Sequence, residues 1–316
     1  MKKNYHLMKF SKYTVVLSLV VMLAAIVVFF TQGFVLGIDF SGGTLLTLDM
    51  GQAITNSDSP VIEEALVKQV KGDHLVTLSE NNQVILRFQA SADDEDAEAN
   101  LRTAIIEEIK KTYPNVKMVA QERVGATAGH EMRMNALISV AIACVLMLAY
   151  IWYRFEFAFA VSAISAIVHD VLMMVAVMLF TRAQVNSSFI AALLTIVGYS
   201  VNDTIVLFDR IRENLKRYRD KSREEIVELS FAETLTRTIN TSLTVFITIT
   251  ALYIVGVQSI KEFALPLIAG IVSGTYSTIF FASPLWLWIH EAMDKRNQKK
   301  KQGGGKKQLK PNKSKA

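Results

Sequence analysis

Asp203 stands in Gly198-Tyr199-Ser200-Val201-Asn202-Asp203-Thr204, the one acid in an apolar stretch running from Ser188 to Phe208. An ionisable side chain inside a bilayer costs several kcal/mol, so its presence demands a reason. A short carboxylate held away from water is suited to taking up and releasing a proton. A structural cap or an interhelical hydrogen bond is the competing use. At about 1.5 Å per residue, Asp203 lies about 8 Å inside the end of its stretch, too deep for a short side chain to reach the surface. That depth favours the proton. Arg237, in Thr234-Leu235-Thr236-Arg237-Thr238-Ile239-Asn240-Thr241-Ser242, opens another apolar stretch and can extend to a similar depth. A protonated Asp203 would release Arg237 and an ionised one would hold it, a two-state element biased by a proton. Plain snorkelling of a helix-end arginine is the alternative. Asn202 and Asp209 are weaker candidates for the same path. His169 and Asp170, in the middle of a third stretch, read equally well as a proton relay or as a packed polar pair.

No zinc-type ligand spacing, Gly-rich phosphate loop or nucleophile elbow occurs. No catalytic residue, metal or cofactor is therefore expected, the protein is not expected to be an enzyme, and protons would be the coupling ion. The single cysteine, Cys144, is expected to be a buried free thiol. The stretch after Arg237 is rich in hydroxyls, among them Thr238, Thr241, Ser242, Thr244, Thr248 and Thr250. These either line a wet path or bond their own backbone carbonyls. Gly270 and Gly274 have the spacing of close helix packing, with Ser273 and Ser277 beside them. Gly37, Asp39, Gly42 and Gly43 sit just beyond the first apolar stretch, where paired glycines relax the backbone. They form either a hinge or the turn that starts a strand.

Membrane spans must position these residues. The chain is 51% hydrophobic, and a bilayer-spanning helix needs about 20 apolar residues in succession. The expected organisation is a basic start over residues 1–12, a first span over 13–33 and an outer domain over 34–130. Spans follow over 133–153, 157–180 and 188–208, then a basic loop with a surface-lying amphipathic helix over 209–236. The last spans cover 239–257 and 263–289, and a Lys-rich tail over 290–316 is expected to be disordered. The first span is expected to be an uncleaved signal anchor, because no small-x-small cleavage site follows it.

Charge sets the orientation. From Gly37 to Thr127 there are fifteen acidic and eight basic residues, a net of −7, although the whole chain carries +5. A uniformly basic surface would suggest nucleic acid, and this distribution excludes that reading. The basic residues lie at the two ends, at Arg154 and between Arg210 and Arg223, which all fall on one side of six spans. The positive-inside rule puts that side and both termini in the cytoplasm. The domain would then be periplasmic, in a bacterial inner membrane. The tail is expected to be solvated or to touch anionic lipid or ribosomal RNA.

Within the domain, Thr44 to Met50 alternates like a strand, Ser59-Pro60 opens a helix, and His74 to Ser79 with Gln83 to Phe88 read as a hairpin around Asn81-Asn82. Asp93 to Tyr113 reads as a helix, with acids first, Lys110 and Lys111 last and Pro114 beyond. Val116 to Val124 closes as a strand. The order β-α-β-β-α-β is the ferredoxin-like arrangement. The expected fold is thus a polytopic α-helical membrane protein with a ferredoxin-like α+β domain between the first two spans.

Three motifs in this order resemble the SecD/SecF family of bacterial Sec protein export, on the side of its smaller, SecF-type members. They are Gly37-Ile38-Asp39-Phe40-Ser41-Gly42-Gly43, Gly198 to Val206 with Phe208-Asp209-Arg210-Ile211-Arg212-Glu213-Asn214, and Thr236-Arg237-Thr238. The resemblance runs to about Met293, and the Lys-rich tail departs from it. It implies half of an RND-superfamily bundle, with SecD as obligate partner supplying the other half. It implies association with the SecYEG channel and often YajC, and contact with a translocating secretory polypeptide. It also implies proton flow that moves the outer domains, with Asp203 and Arg237 as its acid and base. Half of a proton-driven small-molecule transporter is the alternative, disfavoured by so small an outer domain.

Overall fold

The structure, a computed structural model, describes residues 7–55, 57–70, 74–79, 82–88 and 95–305. The turn residue Asn81, the helix start at Asp93 and the last eleven residues of the tail lie outside this range.

Helix α1 (Leu7–Gln32) leads through a short link to the four-residue α2 (Ile38–Ser41). Strand β1 (Gly43–Asp49), α3 (Ser59–Val67), β2 (His74–Leu78), β3 (Gln83–Phe88), α4 (Glu95–Lys110) and β4 (Lys117–Val124) complete the domain. The sheet order is β2-β3-β1-β4 with every neighbour antiparallel, the ferredoxin-like order. In β1, Thr44, Leu46 and Leu48 alternate into the core and meet Ile62 and Leu66 of α3 and Ile105 and Ile109 of α4. One face of the sheet is therefore covered by helices, as an amphipathic antiparallel sheet requires. Buried Glu98 of α4 accepts from Thr44 Oγ1 at 2.6 Å and pairs with Arg123 of β4 at 2.7 Å, so its charge is matched.

Helices α5 (Ala126–Arg154), α6 (Phe157–Thr181), α7 (Ser187–Arg217), α8 (Arg223–Val255) and α9 (Gln258–Ser277) follow. A π turn (Thr278–Ala282) joins α9 to α10 (Ser283–Gly305) without a break. Among the described residues six helical spans are long and apolar enough to cross a membrane. Half of the apolar window is buried in α6, α7 and the α9–α10 span, against 11% in α1 and α8 and 6% in α5. The bundle thus has an inner layer of α6, α7 and α9 with the other three helices around it. At the end away from the domain, Phe159 stacks on Trp286 with centroids 4.9 Å apart and tilts against Phe208 at 5.0 Å.

Three expectations need correction here. The segment after Phe208 is not a separate helix. Helix α7 runs on to Arg217, because Ile211 and Asn214 are buried against the start of α8. Asn214 Nδ2 donates to Ser230 Oγ at 3.0 Å and to Glu233 at 2.7 Å. Helix α8 then begins at Arg223 behind a capping box on Ser222, so only 218–222 is non-helical. The tail is not disordered from residue 290, since α10 continues to Gly305. Strong helix formers such as Glu291, Ala292, Met293 and Lys295 carry it on, and Asp294 pairs with Arg223. Cys144 is free but exposed, because α5 is peripheral and turns that face outward.

Candidate functional site

Helix α7 carries a polar face through the middle of the bundle: Ser200, Asp203 and Thr204 are all buried. Residues three and four apart on a helix share a face, so one seam meets α6, α8 and α9. Asp203, 4% exposed, accepts from Ser242 Oγ of α8 at 3.5 Å, and Tyr199 donates to that same hydroxyl at 3.4 Å. Thr204 Oγ1 lies 3.1 Å from Thr278 Oγ1 at the start of the π turn. The glycines of α9 permit this approach. A Cβ on Gly270 would lie 2.5 Å from Ile196, and one on Gly274 would lie 3.4 Å from Ser200, as the small-xxx-small spacing implies.

Arg237 makes no direct ion pair with Asp203 but lies close enough to act on it electrostatically. Thr234, Thr238 and Ser242 form the buried stripe of α8, spaced four apart. Arg237 is turned about 100° from Thr238 and is exposed. Among the described residues no ion pair joins Arg237 to Asp203. The hydroxyls of α8 divide in the same way. Half-buried Thr241 and exposed Thr244 and Thr248 bond back to the carbonyls of Arg237, Asn240 and Thr244, whereas Ser242 faces the seam. Asn202 is exposed and lines a shallow groove with Gly198 and Tyr150, on a different face from Asp203. Asp209 sits in ion pairs with Arg154 at 3.0 Å and Arg212 at 3.3 Å at the end of the bundle away from the domain.

His169 and Asp170 are 2% and 1% exposed. Asp170 Oδ2 accepts from Ser200 Oγ at 2.5 Å and Ser277 Oγ at 2.9 Å, and Oδ1 accepts from Ser273 Oγ at 2.7 Å. Nδ1 of His169 lies 3.0 Å from that same Oδ1. Its Nε2 lies 2.9 Å from the hydroxyl of Tyr276, which lies 2.8 Å from Ser18 Oγ of α1. Sequence reasoning named the pair without these partners. Ser273 and Ser277 carried a signal in their spacing beside the glycines, while Ser18 and Tyr276 carried none.

The glycine motif is a joint. Gly37 N–H donates to Val185 O at 2.9 Å, and Val185 N–H donates to Val35 O at 2.8 Å. Asp39 Oδ2 accepts from the backbone N–H of Ser187 at 2.9 Å, at the first residue of α7. A carboxylate there suits the positive end of the helix. Gly42 and Gly43 take φ of 71° and 126°, open to glycine and strained for other residues, and β1 begins at Gly43. A Cβ on Gly37 would fall 2.7 Å from Asn186, and one on Gly129 would fall 2.9 Å from the nitrogen of Gly42. Arg182 of the α6–α7 loop adds a bond from its guanidinium to Gly33 O at 2.7 Å.

Two family models match the chain. "Protein export membrane protein SecD/SecF, C-terminal" covers residues 104–292, and "SecD/SecF GG Motif" covers residues 27–54. The protein translocase subunit SecF of Sebaldella termitidis is 38% identical over 289 residues, 88% of this chain and 90% of the relative. The protein translocase subunit SecDF of Bacillus subtilis is 35% identical over 87% of this chain, which spans 37% of that longer protein. The crystal structure of SecDF, a translocon-associated membrane protein from Thermus thermophilus, aligns with a TM-score of 0.80 at 32% identity. It covers 91% of this chain and 39% of that one.

Proposed function

The chain belongs to the SecF branch of the SecD/SecF family of protein-export membrane proteins, and on that premise we propose that it couples proton movement to protein export. Its working unit includes a SecD-type partner, as the longer SecDF relatives carry more than twice its length. The apolar surfaces of α1, α5 and α8 leave room for such a partner and for lipid. In this reading the complex sits in a bacterial inner membrane beside a SecYEG channel, with YajC as a further associate. Both termini are cytoplasmic and the domain is periplasmic, where it meets the secreted chain.

The observation that carries the proton reading is Asp203, buried in mid-bundle with one long hydrogen bond from Ser242. Arg237 serves as a mobile counter-charge that approaches when Asp203 ionises. Helix α7 ties the two ends of the mechanism together: Asp203 lies sixteen residues from Ser187, about 24 Å along the axis, and Ser187 is held by Asp39 at the root of the domain. One proton crossing 100 mV yields about 2.3 kcal/mol, and each unit of pH difference adds about 1.4 kcal/mol. A few protons suffice to bias an equilibrium of a few kcal/mol. The small-molecule alternative gains nothing from the domain, whose interior is filled by its own side chains.

Asp203→Asn keeps the charge-neutral shape of the protonated acid. We expect the variant to assemble with its partner and to lose proton-dependent export in membrane vesicles. Export at the wild-type rate, with matched protein levels, would sink the proposal.

A further inference from the structure

We propose that His169 is a second proton-binding site, and that its protonation is read out on α1 through Tyr276 and Ser18. The inference stands independently of the role given to Asp203.

The donor count comes first. An ionised carboxylate accepts only, at about four sites. Asp170 receives three donors, the hydroxyls of Ser200, Ser273 and Ser277, and Nδ1 of His169 lies 3.0 Å from its Oδ1. Hydrogen bonds donated to a carboxylate favour its charged form. A buried charge needs a counter-charge. Among the described residues no Lys or Arg forms an ion pair with Asp170, and His169 is the group placed to supply one.

The second half of the network accepts either state of His169. With a neutral ring, Nδ1–H donates to Asp170, Tyr276 donates to Nε2, and Ser18 donates to Tyr276 or to Thr14 O. With a protonated ring, Nε2–H donates to Tyr276, Tyr276 donates to Ser18, and Ser18 donates to Thr14 O at 3.0 Å. Every polar hydrogen finds an acceptor in both states. The proton therefore reverses the hydrogen bond of Tyr276 without displacing a heavy atom. The ring of Phe281, 4.9 Å from that of His169, adds a face that favours a cation.

The surroundings hold few other charges. Facing the pair are Ser200 from α7, Ser273, Tyr276 and Ser277 from α9, Phe281 from the π turn and Ser18 from α1. The next carboxylate is Asp203, one turn beyond Ser200 on α7 and engaged with Ser242 of α8. Ser18 belongs to the helix that leads directly into the domain. The change is thus delivered to a different element from the one Asp203 acts on.

The test is solid-state NMR of the full chain with its partner in lipid, carrying nitrogen-15 histidine. The chain has five histidines, and His169→Gln identifies the signal of interest. We expect Nε2 of His169 to pass from an unprotonated to a protonated nitrogen as pH falls from about 8 to about 5, the range in which histidine switches. Tyr276→Phe should move the midpoint by about one pH unit, about a tenfold change in proton affinity. Ser18→Ala should move it less, and Asp203→Asn should leave it in place. A His169 signal that keeps one state across the range overturns the proposal. So does a midpoint indifferent to both Tyr276→Phe and Ser18→Ala. Should His169→Gln fail to assemble, the histidine signal that Tyr276→Phe displaces makes the assignment. Loss of export in Asp203→Asn is a separate result, and either idea can fail alone.

Discussion

Asp170 and Asp203 are the same residue type, sit on neighbouring helices and are almost equally hidden, at 1% and 4% exposure. Their surroundings differ. Asp170 has three serine hydroxyls and Nδ1 of His169 within 3.0 Å, whereas Asp203 has one serine hydroxyl at 3.5 Å. Burial alone therefore does not define what an intramembrane acid is for. A carboxylate surrounded by fixed donors ties helices together. One with a single weak partner loses little when it is neutralised, and exchange of a proton becomes its natural chemistry.

The largest expected effect tests the first half of that contrast. Asp170→Ala strands three serine hydroxyls and His169, and breaking such a buried network costs about 3–5 kcal/mol. Thermal unfolding in detergent should show a large drop, with Asp203→Asn changing stability by less than about 1 kcal/mol. Equal losses in the two variants would erase the distinction. A finer cut removes one donor from each acid. Ser273→Ala deletes a hydrogen bond to a charged group and should cost about 1.5–3 kcal/mol. Ser242→Ala deletes a long one, and its loss should be within about 0.5 kcal/mol. A reversed order would mean that Asp203 is the better-held acid.

The smallest effect comes from outside the membrane, where Asp58 offers a third case. Its carboxyl is held below the usual 3.8 by the backbone N–H of Thr55 first, then by the hydroxyls of Tyr113 and Thr55. Its partner Tyr113 is pushed up to about 12, by burial first and then by Asp58. For Asp58 the stabilisation is present above the unfolded value near 3.8 and fades as pH falls through the lowered folded value. For Tyr113 it is complete below 10.0 and fades as pH rises through about 12. Tyr113→Phe should flatten both limbs in a pH series of domain unfolding followed by circular dichroism. Unchanged limbs would show that the donors around Asp58 do not act as those around Asp170 do.

Much of this molecule is legible in its sequence, and the reasons are local. Strand β3 runs from Gln83 to Phe88 as the hairpin pattern predicts, and the other strands start or stop within a residue of expectation. Asp203 announces itself by its cost in an apolar stretch. What stays hidden depends on rotation and on distant partners. Nothing near Arg237 in the chain says that the Thr234, Thr238 and Ser242 stripe would turn inward and leave Arg237 outside. Ser18 and Tyr276 look like ordinary span residues until α1 is laid against α6 and α9. The α7 extension is hidden because Ile211 and Leu215 form an apolar stripe that suits a membrane surface as well as a facing helix. Only the partner segment, Ile226 to Ser230, decides between the two.

The joint at Gly37 and Gly129 has a geometric consequence. A body fastened at one point can turn in any direction, but a body fastened at two turns only about the line between them. The domain leaves α1 at the Gly37 contact with Val185 and returns to α5 where Gly129 touches Gly42. With the Asp39–Ser187 bond as a further tie, this joint restricts the rotation of the domain. Distances from a label on the sheet to labels on the bundle should accordingly change together, tracing an arc rather than filling a volume.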